Sequence, residues 1–406
     1  MKILVINTGS SSIKYELFDM NHDRAVASGL AEKIGEQSSV LTHTGILPGG
    51  TSIKKVEEGA IPSHFEGLER IVGLLVDPEQ GAIKDKAEIS AVGHRVVHGG
   101  EAFHATTIID EKVITAVKEN IPLAPLHNPS NLEGIAVAQS IFPEALQVAV
   151  FDTAFHQTIP IKAFLYAIPY ELYEKHRVRR YGFHGTSHAY VAESAADYIG
   201  RSPADLNLIT IHLGNGASMA AVKKGKCVDT SMGMTPLAGL MMGTRSGDVD
   251  PALLFFLADY LGMSLKDIDA LLNKKSGLKG VCGTNDMREV IEKKNTGDKR
   301  AKIALDLYTY RIKKFMGAYF AALGRLDAVV FTGGIGENAP YVRERCCAGL
   351  KNMGIEMDFD KNNKTLDSIR EINSPGSKVK ILVIPTNEEL KIALETKKVI
   401  EDQAGP

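Results

Sequence analysis

Short hydrophobic runs, each ended by small or polar residues, recur along the chain and alternate with stretches of helical period. The first run, Ile3-Leu4-Val5-Ile6, leads into Asn7-Thr8-Gly9-Ser10-Ser11-Ser12. The chain then alternates apolar and polar from Ile13 to Phe18, a pattern that predicts a β-hairpin. A related pattern returns half a chain later, where the run 208–213 meets Gly214-Asn215-Gly216-Ala217-Ser218. Further strands are predicted at 89–97, 147–151, 328–331 and 380–384. The clearest helix is 302–323, in which Leu305, Tyr308, Ile312, Phe315, Met316, Tyr319, Phe320 and Leu323 form one apolar stripe. A second helix is expected from about Leu132, after a segment too rich in proline for a regular element. A third is expected to start after Thr186 or Ser187 and to stop at Gly200. Between 229 and 251 the periodicity fades into Gly, Thr, Asp and Met, which predicts an ordered functional loop.

This alternation is an α/β pattern, and a chain of 406 residues predicts two domains. A hydrophobic share of 44% and a net charge of −2 describe an ordinary globular protein, and exclude a general nucleic-acid or acidic-membrane binder. The four cysteines show no CxxC spacing, so neither a zinc site nor a disulfide framework is expected. Met1-Lys2 runs straight into a strand without a signal-peptide pattern, and the apolar stretch 252–261 is too short to span a bilayer. A cytoplasmic location is the expectation.

The candidate chemistry lies where the strands end. Gly9 and its serines offer backbone N–H groups and hydroxyls, and Lys14 adds charge, an inventory suited to a phosphate. The glycine-rich segment 332–338 sits at a strand-to-helix junction, which serves either a nucleotide or a plain tight turn. Arg95 and Arg245 lie among apolar and glycine residues, where a guanidinium needs a carboxylate or phosphate partner. An internal ion pair satisfies that need as well as a substrate does. Asp152 ends an apolar strand, and His184 follows Phe183 as a phosphoryl donor or a core histidine. Thr386 and Glu389 have the spacing of a capping box, which leaves Glu388 as the carboxylate available to magnesium.

The runs VINTGSSSIKYELFD, GHRVVHGG, LAPLHNPSNLEGI, VFDTAFH, RRYGFHGTSH, HLGNGAS, DTSMGMTPLAGLMMGTRSGDVDP, FTGGIGEN and PTNEEL resemble the acetate kinase family, in order and from end to end. The resemblance implies a duplicated actin-like (ribonuclease H-like) α/β fold, with nucleotide and substrate in an interdomain cleft. It implies an acyl and phosphate-side domain at 1–151 plus 388–406, and a nucleotide-binding and dimerisation domain at 152–387. It also implies a homodimer and a reversible, direct transfer of the ATP γ-phosphate to acetate. Magnesium is the expected cofactor, with manganese able to substitute.

Residue by residue, the resemblance places Asn7 and Glu388 at the magnesium site and Ser10, Ser12 and Lys14 on the phosphate side. Arg95, Asp152, His184 and Arg245 become catalytic, with Arg95 also holding the carboxylate. Val97, Leu126, Phe183 and Pro236 wall the acetate pocket. His212, Leu213, Gly214, Asn215, Gly216, Asp286, Met287, Arg288, Gly334, Ile335, Gly336, Glu337 and Asn338 hold the nucleotide. Met287 stands where an aromatic is expected, which leaves the preference for ATP open. The alternatives are propionate or butyrate specificity, or an actin- or Hsp70-like ATPase with no acyl substrate. Between the two related turns, Gly214 matches Gly9, and Met219 takes the place of Lys14.

Overall fold

The computed structural model describes residues 1–46, 51–125, 127–364 and 368–404. The chain forms two compact units. One comprises Met1–Ala154 with Asn387–Pro406, the other Phe155–Thr386.

The first unit is built on an eight-stranded sheet. Its strands are β1 (Lys2–Gly9), β2 (Ser12–Asp19), β3 (Arg24–Glu32), β4 (Val40–Ile46), β5 (Ser52–Glu58), β6 (Ile89–Val96), β7 (Thr107–Ile108) and β8 (Leu146–Phe151), in the order β5-β4-β3-β2-β1-β6-β8-β7. Strands β1 to β3 form an antiparallel meander, and β6 and β8 add on parallel to β1. Alternation in β1 sends its side chains to two cores. Leu4 and Ile6 pack with Leu68, Ile71 and Leu75 of the helix His64–Leu75 and with Ala138 and Ile141 of the helix Asn128–Ile141. Ile3 and Val5 pack with Ile392 and Ala393 of the helix Glu388–Ala404. A sheet buried on both faces accounts for the unbroken apolar runs in its central strands.

The second unit repeats this plan. Its six strands are β9 (Asn207–Leu213), β10 (Ala217–Lys223), β11 (Lys226–Thr230), β12 (Ala328–Thr332), β13 (Arg370–Glu371) and β14 (Lys380–Val383), in the order β11-β10-β9-β12-β14-β13. Again three antiparallel strands come first and two parallel strands follow. The duplication is therefore one of topology, and the fold is of the duplicated ribonuclease H-like class.

The two hairpins differ at one point. In the first, Gly9 pairs with Ser12 around a two-residue turn and Asn7 pairs with Lys14. In the second, Leu213 pairs with Ala217 around three residues, so His212 pairs with Ser218. Between its facing positions the second hairpin is shorter by one residue, which shifts the register by one. Ser218, and not Met219, therefore stands opposite His212 as Lys14 stands opposite Asn7, while Met219 is fully buried.

Several helix boundaries depart from the sequence expectation. The helix predicted from Leu132 begins at Asn128, because Pro129 fits the first turn, where its missing N–H costs nothing. The helix Gly185–Ile199 is not capped by Thr186 or Ser187. His184 precedes it in a left-handed conformation at φ 56°, and Gly200 ends it at φ 73°. The segment expected as a glycine-rich turn is itself a short helix, Gly333–Asn338. The long helix Lys299–Leu323 buries Leu305, Tyr308, Ile312, Met316, Tyr319 and Leu323, with Phe315 and Phe320 half-buried. Among the described residues no helix is long and apolar enough to cross a membrane.

Candidate active site

In the first unit the candidate residues gather at the carboxyl ends of β1, β6 and β8, the end of a parallel arrangement where ligands bind. Arg95, next to last in β6, donates from Nε and Nη2 to Asp152 Oδ2 at 3.1 and 2.5 Å. Its Nη1 reaches Asn7 Oδ1 at 3.5 Å. Asp152 is buried, so this is the internal ion pair that the sequence left open for Arg95. The second half of that pair is still exposed in part, since Arg95 keeps some of its guanidinium open to solvent.

Glu388 opens the C-terminal helix in the same neighbourhood. Burial, with Asp152 and Glu389 nearby and only partly offset by Arg95 and Lys14, pushes its carboxyl up to about 7. A divalent cation beside it would relieve that penalty. The donors present, Asn7 amide oxygen and the Glu388 and Asp152 carboxylates, are all hard oxygens of the kind magnesium takes. Among the described residues no cluster of three or more His, Cys, Asp and Glu side chains could hold a metal ion by itself. The residues fit a cation that also draws ligands from water and phosphate.

Two expectations change here. The capping box between Thr386 and Glu389 does not form: Asn387 Oδ1 accepts from Leu390 N at 2.9 Å and supplies the cap. Thr386 instead bonds Ser187 Oγ at 2.9 Å. Glu389, released from capping, pairs with Lys14 at 2.5 Å. Lys14 is thus held toward its strand end by a carboxylate from the last helix.

Asn131 is a residue that sequence reasoning missed. Its Oδ1 accepts from Val97 N at 3.0 Å and its Nδ2 donates to Thr8 O at 3.2 Å, so one buried amide ties the phosphate-side turn to the proposed acyl wall. His64 likewise donates from Nε2 to the Gly9 carbonyl at 2.8 Å. Gly134 permits this fit, because a Cβ there would strike the Thr8 hydroxyl. Ser10 and Ser12 lie at the turn and closing pair of the first hairpin, and Val97 is buried. Leu126 falls outside the described residues.

In the second unit His184, Arg245 and Gly216 meet. A Cβ at Gly216 would lie 3.2 Å from His184 Nε2 and 3.8 Å from Arg245 Nη1, so the absent side chain leaves both groups their space. Arg245 donates to the Pro236 carbonyl at 2.9 Å and approaches the Met242 sulfur at 3.6 Å. Among the described residues no carboxylate pairs with it, and burial pulls its pKa down. The internal ion pair holds for Arg95 and fails for Arg245. Phe183 is buried, and its carbonyl accepts from His156 Nε2 at 2.9 Å. The His184 ring stacks on His212 with centroids 4.4 Å apart.

A separate cavity of about 570 Å³ in this unit is lined by Gly214, Asn215, Asp286, Met287, Arg288, Gly334, Ile335 and Asn338 from the expected nucleotide set, with Asn285, Ile291 and Ala339 added. His212, Leu213, Gly216, Gly336 and Glu337 do not line it. Glu337 has backbone work instead: Oε1 accepts from Gly333 N at 2.9 Å and from Thr386 N at 3.1 Å. Gly333, at φ 75°, lies so close to the Leu213 backbone that a Cβ would sit 2.7 Å from its carbonyl. Asp286 caps the next helix through Arg288 N and grips the Arg288 guanidinium at 2.6 Å, a hydrogen bond that holds its carboxyl down at about 2. Met287 is buried.

The sequence model of the Acetokinase family matches residues 2–394. The acetate kinase of Oleidesulfovibrio alaskensis is 53% identical over 394 residues, covering 97% of this chain and 98% of that protein. The crystal structure of Porphyromonas gingivalis acetate kinase superposes with a TM-score of 0.92 at 48% identity, covering 98% of this chain and 99% of that one. A propionate kinase from Francisella tularensis gives 0.89 at 46% identity, covering 97% and 98%. On this evidence the chain belongs to the acetokinase family.

Proposed function

We propose that the protein phosphorylates acetate, reversibly transferring the ATP γ-phosphoryl group to the acetate carboxylate and releasing ADP and acetyl phosphate. The observation that carries this reading is Arg245, a half-buried guanidinium with no carboxylate partner among the described residues and with His184 alongside. A partly desolvated cation of that kind calls for an anion, and both substrates are anions.

A carboxylate is already nucleophilic at neutral pH, so no proton needs to be removed. The task is to bring two anions into line and to stabilise charge on the equatorial phosphoryl oxygens. Arg245 and His184 are suited to those oxygens, and Arg95 to the acetate carboxylate. Asp152 fixes the Arg95 fork through two hydrogen bonds and so acts as an organiser rather than as a base. Val97, Phe183 and Pro236 are assigned to the acyl group, with Asn131 holding Val97 in place. Lys14, Ser10 and Ser12 are assigned to phosphate, and the cavity at 214–215, 285–288 and 334–339 to the nucleotide.

Asn7 and Glu388 would hold magnesium. When bound, it supplies charge neutralisation at the phosphate oxygens. Purified protein assayed with acetate, ATP and magnesium, with acetyl phosphate trapped as acetyl hydroxamate, tests the reading. Propionate and butyrate run in parallel separate it from the longer-chain alternative.

The protein is further assigned as a cytoplasmic homodimer. Phe255, Phe256, Tyr260, Leu261 and Leu265 lie exposed on neighbouring turns of the second unit, with Tyr260 at 77% and Leu265 at 79%. Apolar groups that open to water at such density support an interface with a second copy.

A further inference from the structure

Behind His184 runs a buried chain of polar side chains. Thr210 Oγ1 on β9 lies 2.7 Å from Nδ1 of His188, on the helix Gly185–Ile199. His188 Nε2 lies 2.8 Å from Ser218 Oγ on β10, and Ser218 Oγ lies 2.9 Å from His184 Nδ1. Thr210, His188 and Ser218 have no solvent exposure. Burial, with His156 and His212 nearby, drives His188 well below the ordinary imidazole range, so it is neutral and carries one ring hydrogen.

Counting hydrogens gives this chain a direction. The Ser218 hydroxyl has one hydrogen and two ring-nitrogen neighbours, so it donates to one and accepts from the other. Thr210 Oγ1 has His188 as its one hydrogen-bond partner among the described residues. If His188 donated from Nδ1, the Thr210 hydrogen would be buried with no acceptor, the costly outcome for a polar group. The opposite order satisfies every member. Thr210 donates to His188 Nδ1, His188 donates from Nε2 to Ser218, and Ser218 donates to His184 Nδ1.

We propose that Thr210, His188 and Ser218 are positioning residues that hold His184 in the tautomer with its hydrogen on Nε2. The consequence for the reaction rests on the assignment of His184 to the transferring phosphoryl group. The Nε2 edge lies on the side of Gly216 and Arg245, and the His212 stack at an interplanar angle of 24° holds the ring plane. An N–H already aimed from that edge needs no reorientation as charge develops on the phosphoryl oxygens. The one-residue difference between the two hairpins brings Ser218 opposite His212, and its hydroxyl reaches His184.

Full-length protein labelled with [¹⁵N]histidine, observed at pH 8 by two-bond ¹H–¹⁵N correlation, tests the proposal. The His184 signal, identified by its loss in His184→Asn, is expected to show a protonated Nε2 and a bare Nδ1. Ser218→Ala is expected to give an averaged pattern of both tautomers. It should lower kcat about 10- to 100-fold while KM for ATP and for acetate moves by less than about twofold. Ser218→Thr keeps the hydroxyl and should restore the Nε2–H pattern and most of kcat. Thr210→Val keeps the side-chain shape and removes the hydrogen that starts the chain, so it should also give the mixed pattern. It decides the matter if Ser218→Ala does not fold. A wild-type His184 protonated at Nδ1, or variant spectra identical to the wild type, would overturn the proposal. A wild type that folds, shows the Nε2–H tautomer and fails to phosphorylate acetate would strike the functional reading alone.

Discussion

Asp152 accepts two hydrogen bonds from Arg95, at 3.1 Å from Nε and 2.5 Å from Nη2, and is itself almost wholly buried. Arg245 is half-buried and donates to a carbonyl. The first arginine is positioned by the protein, and the second is the one we assign to a ligand. This difference separates their mutants.

Removing Asp152 leaves a largely buried cation unpaired, a change worth about 3–5 kcal/mol where a buried pair is broken. Asp152→Ala is therefore expected to lose stability in urea unfolding and to lose kcat together. Activity loss without loss of stability would mean that the pair has no structural role.

Arg245→Ala is expected to behave in the opposite way. It removes a desolvated charge that has no carboxylate partner, so the melting temperature should hold or rise. The kcat should fall on the order of ~10²-fold or more. Lysine is not expected to substitute, since its ammonium cannot present a planar fork. Steady-state kinetics with thermal unfolding of both variants checks this, and near-normal turnover in Arg245→Ala would contradict it.

His94 donates from Nε2 to Gln147 Oε1 at 2.8 Å inside the first sheet, and burial pulls its pKa down to about 4. In the unfolded chain it titrates near the ordinary value of ~6.5. The unfolded state thus binds more protons between pH 6.5 and 4. Stability is fully present above pH 6.5 and is lost as pH falls through that window, by up to about 3 kcal/mol from this group. Urea unfolding at pH 7.5 and 4.5 should show a smaller pH difference for His94→Asn than for the wild type. Equal differences would remove His94 from the account.

The exposed apolar face on the second unit predicts its own disruption. Tyr260→Asp combined with Leu265→Asp is expected to convert a dimer to a monomer in sedimentation velocity. A wild-type monomer would contradict the dimer, and a variant that stays dimeric would move the interface elsewhere.

Much of the fold was legible because its elements obey local rules. The opening hairpin, the Gly200 stop and the buried stripe of 302–323 follow from alternation, left-handed glycine and helical period. What the sequence hid depended on tertiary choice. Thr386 and Asn387 are both plausible caps, and only packing decides that Thr386 bonds Ser187 while Asn387 takes the helix. Matching the turns by sequence offset aligned Met219 with Lys14, because a one-residue difference in register leaves no trace in hydrophobicity. Asn131 carried a faint signal, as a polar residue just after Pro129 that the first turn of an apolar helix buries. Ile303, Leu307 and Tyr310 sit exposed on the helix whose opposite face was read as core, and a single-stripe pattern does not anticipate a second apolar face.

The most direct measurement is hydroxylamine trapping during turnover with ATP and magnesium, with ADP followed in the same reaction. Acetate should yield acetyl hydroxamate in step with ADP. Each added methylene should cost roughly 1–3 kcal/mol in kcat/KM, so acetate leads propionate and propionate leads butyrate. ADP formation that is indifferent to acetate, with no hydroxamate, would contradict the account and favour an ATPase.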